Sequence, residues 1–93
     1  MRIRRTDANH KKLIDQLRQL PGVSVFSTHT IGKGFPDIVV GYGGKNYLFE
    51  IKDEDKAPSL TKLTNSEDLF HKKWQGQVDV VKNLGDCILK LQK

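Results

Sequence analysis

The chain has 93 residues and a formal net charge of +5, from 16 lysines and arginines against 11 aspartates and glutamates. This length predicts one domain with a modest core, since so short a chain buries only about 60–65% of its unfolded surface. No apolar run approaches the about 20 residues that span a bilayer, and the single cysteine excludes an internal disulfide and an all-cysteine zinc site.

The basic amino terminus lacks the apolar stretch of a signal peptide, which favours an intracellular protein. A basic surface suits a polyanion such as nucleic acid.

The first predicted element is an amphipathic helix over residues 6–20, and Thr6 or Asp7 is its candidate N-cap. Its apolar residues recur at the three- and four-residue spacing of one helix face: Leu13, Ile14, Leu17 and Leu20.

Three strands are predicted next, the first over residues 23–27, where apolar and polar residues alternate. A basic, glycine-containing loop over residues 28–35 follows it. Residues 37–42 and 45–52 are rich in β-branched and aromatic residues, which favours two strands. Gly43-Gly44 between them suits a two-residue hairpin turn, because glycine accepts the positive φ that such turns need.

Thr64 to Glu67 has the form of a capping box and predicts the start of a second helix. In this helix Leu69, Phe70 and Trp74 recur at helical spacing, so we expect them in the core. A valine-rich strand follows Gly76, and residues 83–93 form the last predicted helix. The order α-β-β-β-α-β-α predicts an α/β fold with one mixed sheet flanked by helices.

The hairpin turn predicts which residues face each other. If Gly43-Gly44 form the turn, Tyr42 lies opposite Lys45 and, further along, Asp37 lies opposite Glu50. Directly opposed residues have Cβ atoms about 4.5–5.5 Å apart on one face. Two carboxylates so close repel each other unless a proton or a cation lies between them.

Side-chain alternation places Lys52 on the same face as Glu50. Two carboxylates are typical ligands for Mg²⁺ or Mn²⁺, which can activate water against a phosphodiester. Lys52 would then orient the water or stabilise charge on the phosphate. The alternative is a surface salt bridge between Glu50 and Lys52, with Asp37 as a turn residue at the strand entry.

Pro36-Asp37 followed by Glu50-Ile51-Lys52 resembles the PD-(D/E)XK nuclease signature. The whole chain resembles the stand-alone virus-type replication-repair nuclease (VRR-NUC) domains of phages and bacteria. The similar segments are residues 4–10, 32–37, 41–42, 47–53, 62–64 and 70–78. The resemblance implies a restriction-endonuclease-like core.

The resemblance also implies a Mg²⁺- or Mn²⁺-dependent DNA endonuclease. Asp37 and Glu50 would be metal ligands, with the backbone carbonyl of Ile51 as a third, and Lys52 would be the catalytic lysine. Many family members supply an acidic residue from the first helix, where this chain has no glutamate. Asp7 or Asn9 is the candidate replacement: both flank the apolar face of this helix, and His10 lies on that face itself, so any one of the three could reach the metal. Asp7 is equally well explained as a helix cap.

Basic residues outside this set are candidates for phosphate contacts, which make binding salt-dependent. They include Arg4, Arg5, Lys33, Lys72 and Lys73. Similarity to the stand-alone domains implies a homodimer that cuts branched DNA such as a four-way junction.

Two alternatives to this function stay open. One is a non-catalytic DNA-binding module within a larger replication or repair complex. The other is an RNA nuclease, for which the sequence offers no aromatic stacking platform.

Overall fold

The computed structural model describes residues 8–53 and 62–92. Three helices and four strands occur in the predicted order α-β-β-β-α-β-α. They are α1 (Ala8–Arg18), β1 (Ser24–Ser27), β2 (Ile38–Tyr42), β3 (Lys45–Ile51), α2 (Asn65–Lys73), β4 (Asp79–Val81) and α3 (Leu84–Leu91). None of the helices in this part of the chain is long and apolar enough to cross a membrane.

The four strands form one mixed sheet in the order β1-β2-β3-β4. β1, β2 and β3 pair antiparallel, while β4 runs parallel to β3 at the other edge. A parallel neighbour needs a crossover connection, and α2 lies within the segment that links β3 to β4. The predicted mixed sheet flanked by helices is therefore confirmed.

The core lies on the side of the sheet that α1 and α3 cover. Alternation along β3 directs Tyr47, Phe49 and Ile51 into this core. The other buried hydrophobic residues come from β2, β4 and the two helices: Leu13, Leu17, Ile38, Val40, Val81, Cys87 and Leu91. Helix α3 begins at its N-cap Asn83, whose side chain accepts a hydrogen bond from the backbone N–H of Asp86.

Helix α2 differs from α1 and α3 because none of its residues is buried. The expectation that Leu69, Phe70 and Trp74 belong to the core is wrong: Leu69 is 54% exposed and Trp74 is 44% exposed. Phe70 and Trp74 instead stack on each other, and Phe35 packs edge-on against both rings. Helical spacing identified a shared apolar face but could not tell whether another element covers it.

The side chain of Gln77 extends the sheet beyond the start of β4. Its amide nitrogen donates to the carbonyl oxygen of Leu48 at 2.9 Å, and its Oε1 accepts from the N–H of Leu48 at 2.7 Å. The amide thus takes the place of a backbone peptide beside β3.

Candidate active site

The predicted hairpin register is confirmed. Tyr42 pairs with Lys45 and Ile38 pairs with Phe49, around a turn at Gly43 and Gly44. Both glycines have positive φ angles, 60° and 78°, as the tight turn requires.

Asp37 continues the same ladder by one residue beyond Ile38. Its backbone N–H donates to the carbonyl oxygen of Phe49 at 3.0 Å, and its Oδ2 accepts from the N–H of Ile51 at 2.8 Å. These two bonds lie on either side of Glu50, so they hold the Asp37 carboxylate beside that residue. On the preceding loop, the Thr28 hydroxyl donates to the carbonyl oxygen of Pro36, and the Thr28 backbone N–H donates to the carbonyl oxygen of Asp37.

Glu50 is a buried carboxyl group, with only 2% of the residue exposed. Its Oε1 has no hydrogen-bond partner among the described residues. Burial, and then the negative charges of Asp37 and Glu67, raise the pKa of Glu50 from 4.5 to about 10. A buried oxygen without a partner is costly, so this position favours either a proton or a bound cation.

Lys52 lies on the same face as Glu50, as alternation predicts. Its Nζ is 3.8 Å from Glu50 Oε2 and 2.9 Å from Glu67 Oε1. Only 14% of the Lys52 side chain is exposed, against 3% for Glu50. The alternative of a surface salt bridge between Glu50 and Lys52 is therefore wrong, because neither side chain is at the surface.

Glu67 is the site residue that sequence reasoning missed. The capping box is confirmed: Glu67 N–H donates to Thr64 Oγ1, and Glu67 Oε1 accepts from Thr64 N–H at 2.9 Å. The same Oε1 accepts the hydrogen bond from Lys52. Burial acts to raise the pKa of Glu67, but hydrogen bonds from Thr64, Lys52 and Glu50 outweigh it and lower that pKa. The capping box located this residue in the sequence without revealing its second partner.

We call Asp37, Glu50 and Glu67 the carboxylate cluster. Helix α1 reaches its edge through His10, whose Nε2 lies 3.7 Å from Asp37 Oδ2 and 3.3 Å from the carbonyl oxygen of Ile51. One residue earlier, the side-chain amide of Asn9 donates to the carbonyl oxygen of Lys52 at 3.2 Å. Asn9 thus ties α1 to the end of β3, while Asp7 lies outside the described residues.

The donor atoms of the cluster suit a hard divalent cation, which prefers oxygen ligands and keeps several waters. Asp37 Oδ2 and the Ile51 carbonyl both lie next to His10 Nε2, and Glu50 supplies a buried Oε1 that has no partner in the described part of the chain. Within residues 8–53 and 62–92, no three His, Cys, Asp or Glu side chains form a metal-binding group. The residues that could hold a cation here are Asp37 and Glu50, together with the backbone carbonyl of Ile51.

The predicted phosphate-contacting residues separate into three groups. Lys33 and Lys73 line one groove beside the aromatic rings of α2. Lys72 forms an ion pair with Asp68 at 2.9 Å, and Arg4 and Arg5 lie outside the described residues.

A scan against protein-family models and searches of curated proteins and solved structures each find no match to this chain.

Proposed function

We propose that this protein is a metal-dependent DNA endonuclease with a restriction-endonuclease-like core. One observation carries the proposal: Glu50, a buried glutamate whose Oε1 has no hydrogen-bond partner among the described residues, lies between Asp37 and Lys52. Ion pairs that serve stability alone do not need a buried, unsatisfied carboxyl oxygen, which costs free energy. Such strained electrostatics are typical of sites where chemistry takes place.

Asp37, Glu50 and the carbonyl of Ile51 would hold Mg²⁺ or Mn²⁺. When bound, such an ion polarises a phosphodiester and lowers the pKa of coordinated water. Asp37 is fixed for this role by the hydrogen bond from Ile51 N–H.

The Lys52 ammonium group supplies positive charge next to the carboxylates. It stabilises negative charge that develops on the phosphate, or orients the attacking water. Glu67 holds Lys52 at 2.9 Å, so Glu67 acts as a positioning residue rather than a catalytic one.

The proposed substrate is branched DNA such as a four-way junction, cut by a homodimer. The formal charge of +5 favours a polyanion, and the resemblance to VRR-NUC domains supplies the preference for branched DNA. Two active sites in one dimer would suit symmetric cuts. Exposed Phe26, 73% accessible on edge strand β1, gives the chain an apolar residue where a second copy can pack.

The test is cleavage of labelled duplex, flap and four-way-junction DNA in Mg²⁺, Mn²⁺ or EDTA. We expect cleavage with metal only, and a loss of about 100-fold or more in Asp37→Asn and in Lys52→Ala. Lys45→Ala is the matched control, because this exposed lysine lies at the opposite end of β3 from the cluster. Its cleavage rate should stay near that of the unmodified protein.

Cleavage that persists in EDTA or in Asp37→Asn would overturn the metal mechanism. Metal-independent binding of branched DNA with no cleavage in either metal would favour the non-catalytic DNA-binding module. Sedimentation of the same preparation reports whether the chain is a dimer.

A further inference from the structure

We propose that a groove beside α2 binds an unpaired nucleotide of the DNA substrate. The groove is lined by Lys33, Ser66, Leu69, Phe70, Lys73 and Trp74 and has a volume of about 420 Å³. This inference rests on the proposed function and deepens it, because it names the DNA feature that the enzyme recognises.

The floor of the groove is an aromatic surface. Phe70 and Trp74 stack with ring centroids 4.9 Å apart and an interplanar angle of 19°. Phe35 packs edge-on against Phe70 at 5.4 Å and so supports the pair from the loop before β2. Trp74 nevertheless stays 44% exposed. An indole that packs on Phe70 and is still open to solvent offers a stacking surface for a nucleobase, which the sequence alone did not reveal.

The rim of the groove is positively charged. Neither Lys33 nor Lys73 forms an ion pair with an acidic side chain in the described part of the chain, whereas neighbouring Lys72 is paired with Asp68. Lys33 also has a left-handed backbone, with φ of 57° between two glycines of positive φ. A non-glycine residue in this region is strained and is typical of functional loops.

An apolar floor between the ammonium groups of Lys33 and Lys73 complements a flat, apolar and anionic ligand. A nucleotide has this chemistry, since its base stacks while its phosphates meet the two lysines. A volume of this size accommodates a base with its sugar. An intact duplex cannot place a base on Trp74 without unstacking it, so the groove favours gaps, flaps and junctions over paired DNA.

The groove adjoins the carboxylate cluster through the chain itself. Ser66 in the groove precedes Glu67, which holds Lys52. Phe35, which supports the floor, lies two residues before Asp37. A strand whose scissile phosphate is at the cluster would therefore have its unpaired nucleotide near the groove.

Trp74 is the only tryptophan of the chain, so its fluorescence reports on the groove alone. We would titrate the protein in EDTA with a duplex, a duplex with a gap, and a four-way junction of equal nucleotide number. We expect strong quenching by the gapped DNA, weak quenching by the intact duplex, and tighter binding of the gapped DNA.

Variants separate stacking from charge. Because these variants lack the only tryptophan, their affinity is measured by the fluorescence anisotropy of labelled DNA. Trp74→Leu should weaken binding to gapped DNA by about 5- to 100-fold, as loss of one base stack predicts, while Trp74→Phe should retain most of the affinity. Lys33→Ala and Lys73→Ala should each weaken binding and reduce the salt dependence by about one counterion. Lys45→Ala is the matched control and should leave the preference for gapped DNA unchanged, and circular dichroism checks that each variant is folded.

Equal quenching by intact and gapped DNA, or unchanged affinity in folded Trp74→Leu, overturns the inference. It is also overturned if Trp74 emission changes with protein concentration in the absence of DNA, because a second copy of the chain then covers the groove. Selective quenching by gapped DNA without cleavage in any metal supports the groove and contradicts the nuclease. Metal-dependent cleavage together with equal quenching by intact and gapped DNA supports the nuclease and contradicts the groove.

Discussion

At the scale of single residues, the surroundings of Glu50 oppose its ionisation. Burial and the neighbouring carboxylates raise its pKa from 4.5 to about 10, so the folded protein holds a proton that the unfolded chain releases. The stability that this group contributes is complete below about pH 4.5 and declines as the pH rises toward 10. A cation bound by the ionised carboxylate would replace the proton.

We therefore predict that the melting temperature in EDTA falls between about pH 5 and pH 8, and that Mn²⁺ reverses most of this fall at the higher pH. Glu50→Gln keeps the shape of the side chain but cannot ionise, so its melting temperature should depend less on pH and respond little to Mn²⁺. Thermal unfolding followed by circular dichroism measures both effects. The prediction is contradicted if the melting temperatures of the unmodified protein and of Glu50→Gln depend equally on pH.

Glu67 has two roles that substitutions can separate. It completes the α2 capping box with Thr64, and it accepts the hydrogen bond of Lys52. Thr64→Ala and Glu67→Ala should each reduce the free energy of unfolding by about 1 kcal/mol, as lost caps do. Only Glu67→Ala should also lower the cleavage rate at saturating DNA, by about 10-fold or more, because it releases Lys52.

Chemical denaturation and single-turnover cleavage measure the two quantities. Glu67→Gln is the conservative control, since its amide oxygen can still accept from Thr64 N–H and Lys52. Equal cleavage rates in Thr64→Ala and Glu67→Ala would mean that Glu67 acts on the reaction only through the helix cap.

At the scale of elements, the loop over residues 28–37 packs closely against α2. A Cβ atom on Gly34 would collide with the backbone carbonyl of Ser66 in the first turn of α2. The absence of a side chain at Gly34 is thus what lets the loop and the helix approach so closely. This approach brings together Phe35 with Phe70, and Glu67 with Lys52.

Gly34→Ala should displace α2, and Gly32→Ala is its matched control. Both glycines have φ near 80°. Each substitution therefore costs about 1–2 kcal/mol of folding free energy, because alanine is strained in the left-handed region. A Cβ on Gly32 would meet nothing within 4 Å. We expect Gly34→Ala to lose more free energy of unfolding than Gly32→Ala and to shift the emission of Trp74 to longer wavelength. Equal losses and equal spectra would show that the helix does not depend on this contact.

At the scale of the whole molecule, acidic groups are concentrated within a basic protein. The formal net charge is +5, yet Asp37, Glu50 and Glu67 share one site around Lys52. A phosphate can approach such a site only after the negative charge of the carboxylates is neutralised. In the proposed function, the net positive charge would attract DNA, and the cluster with its proposed cation would supply the chemistry.

Much of this architecture could be read from the sequence, because its signals are local. Alternation and the Gly43-Gly44 turn predicted the hairpin, and its register placed Asp37 beside Glu50. The capping box at Thr64 likewise predicted the start of α2. The helices and strands also begin and end within a few residues of their predicted bounds, because caps, turns and periodicity depend on residues that are close in sequence.

What the sequence could not decide depends on contacts between distant segments. Glu67 lies 15 residues from Lys52, and only the packing of α2 against the loop brings them together. The same packing leaves Trp74 exposed, although its helical spacing resembles that of a core residue. Burial also decides that Glu50 is a perturbed acid rather than a surface charge, because desolvation depends on everything that surrounds a group and not on its neighbours in sequence. The sequence by itself determined which residues face each other across the hairpin, and only the tertiary structure decided what covers them.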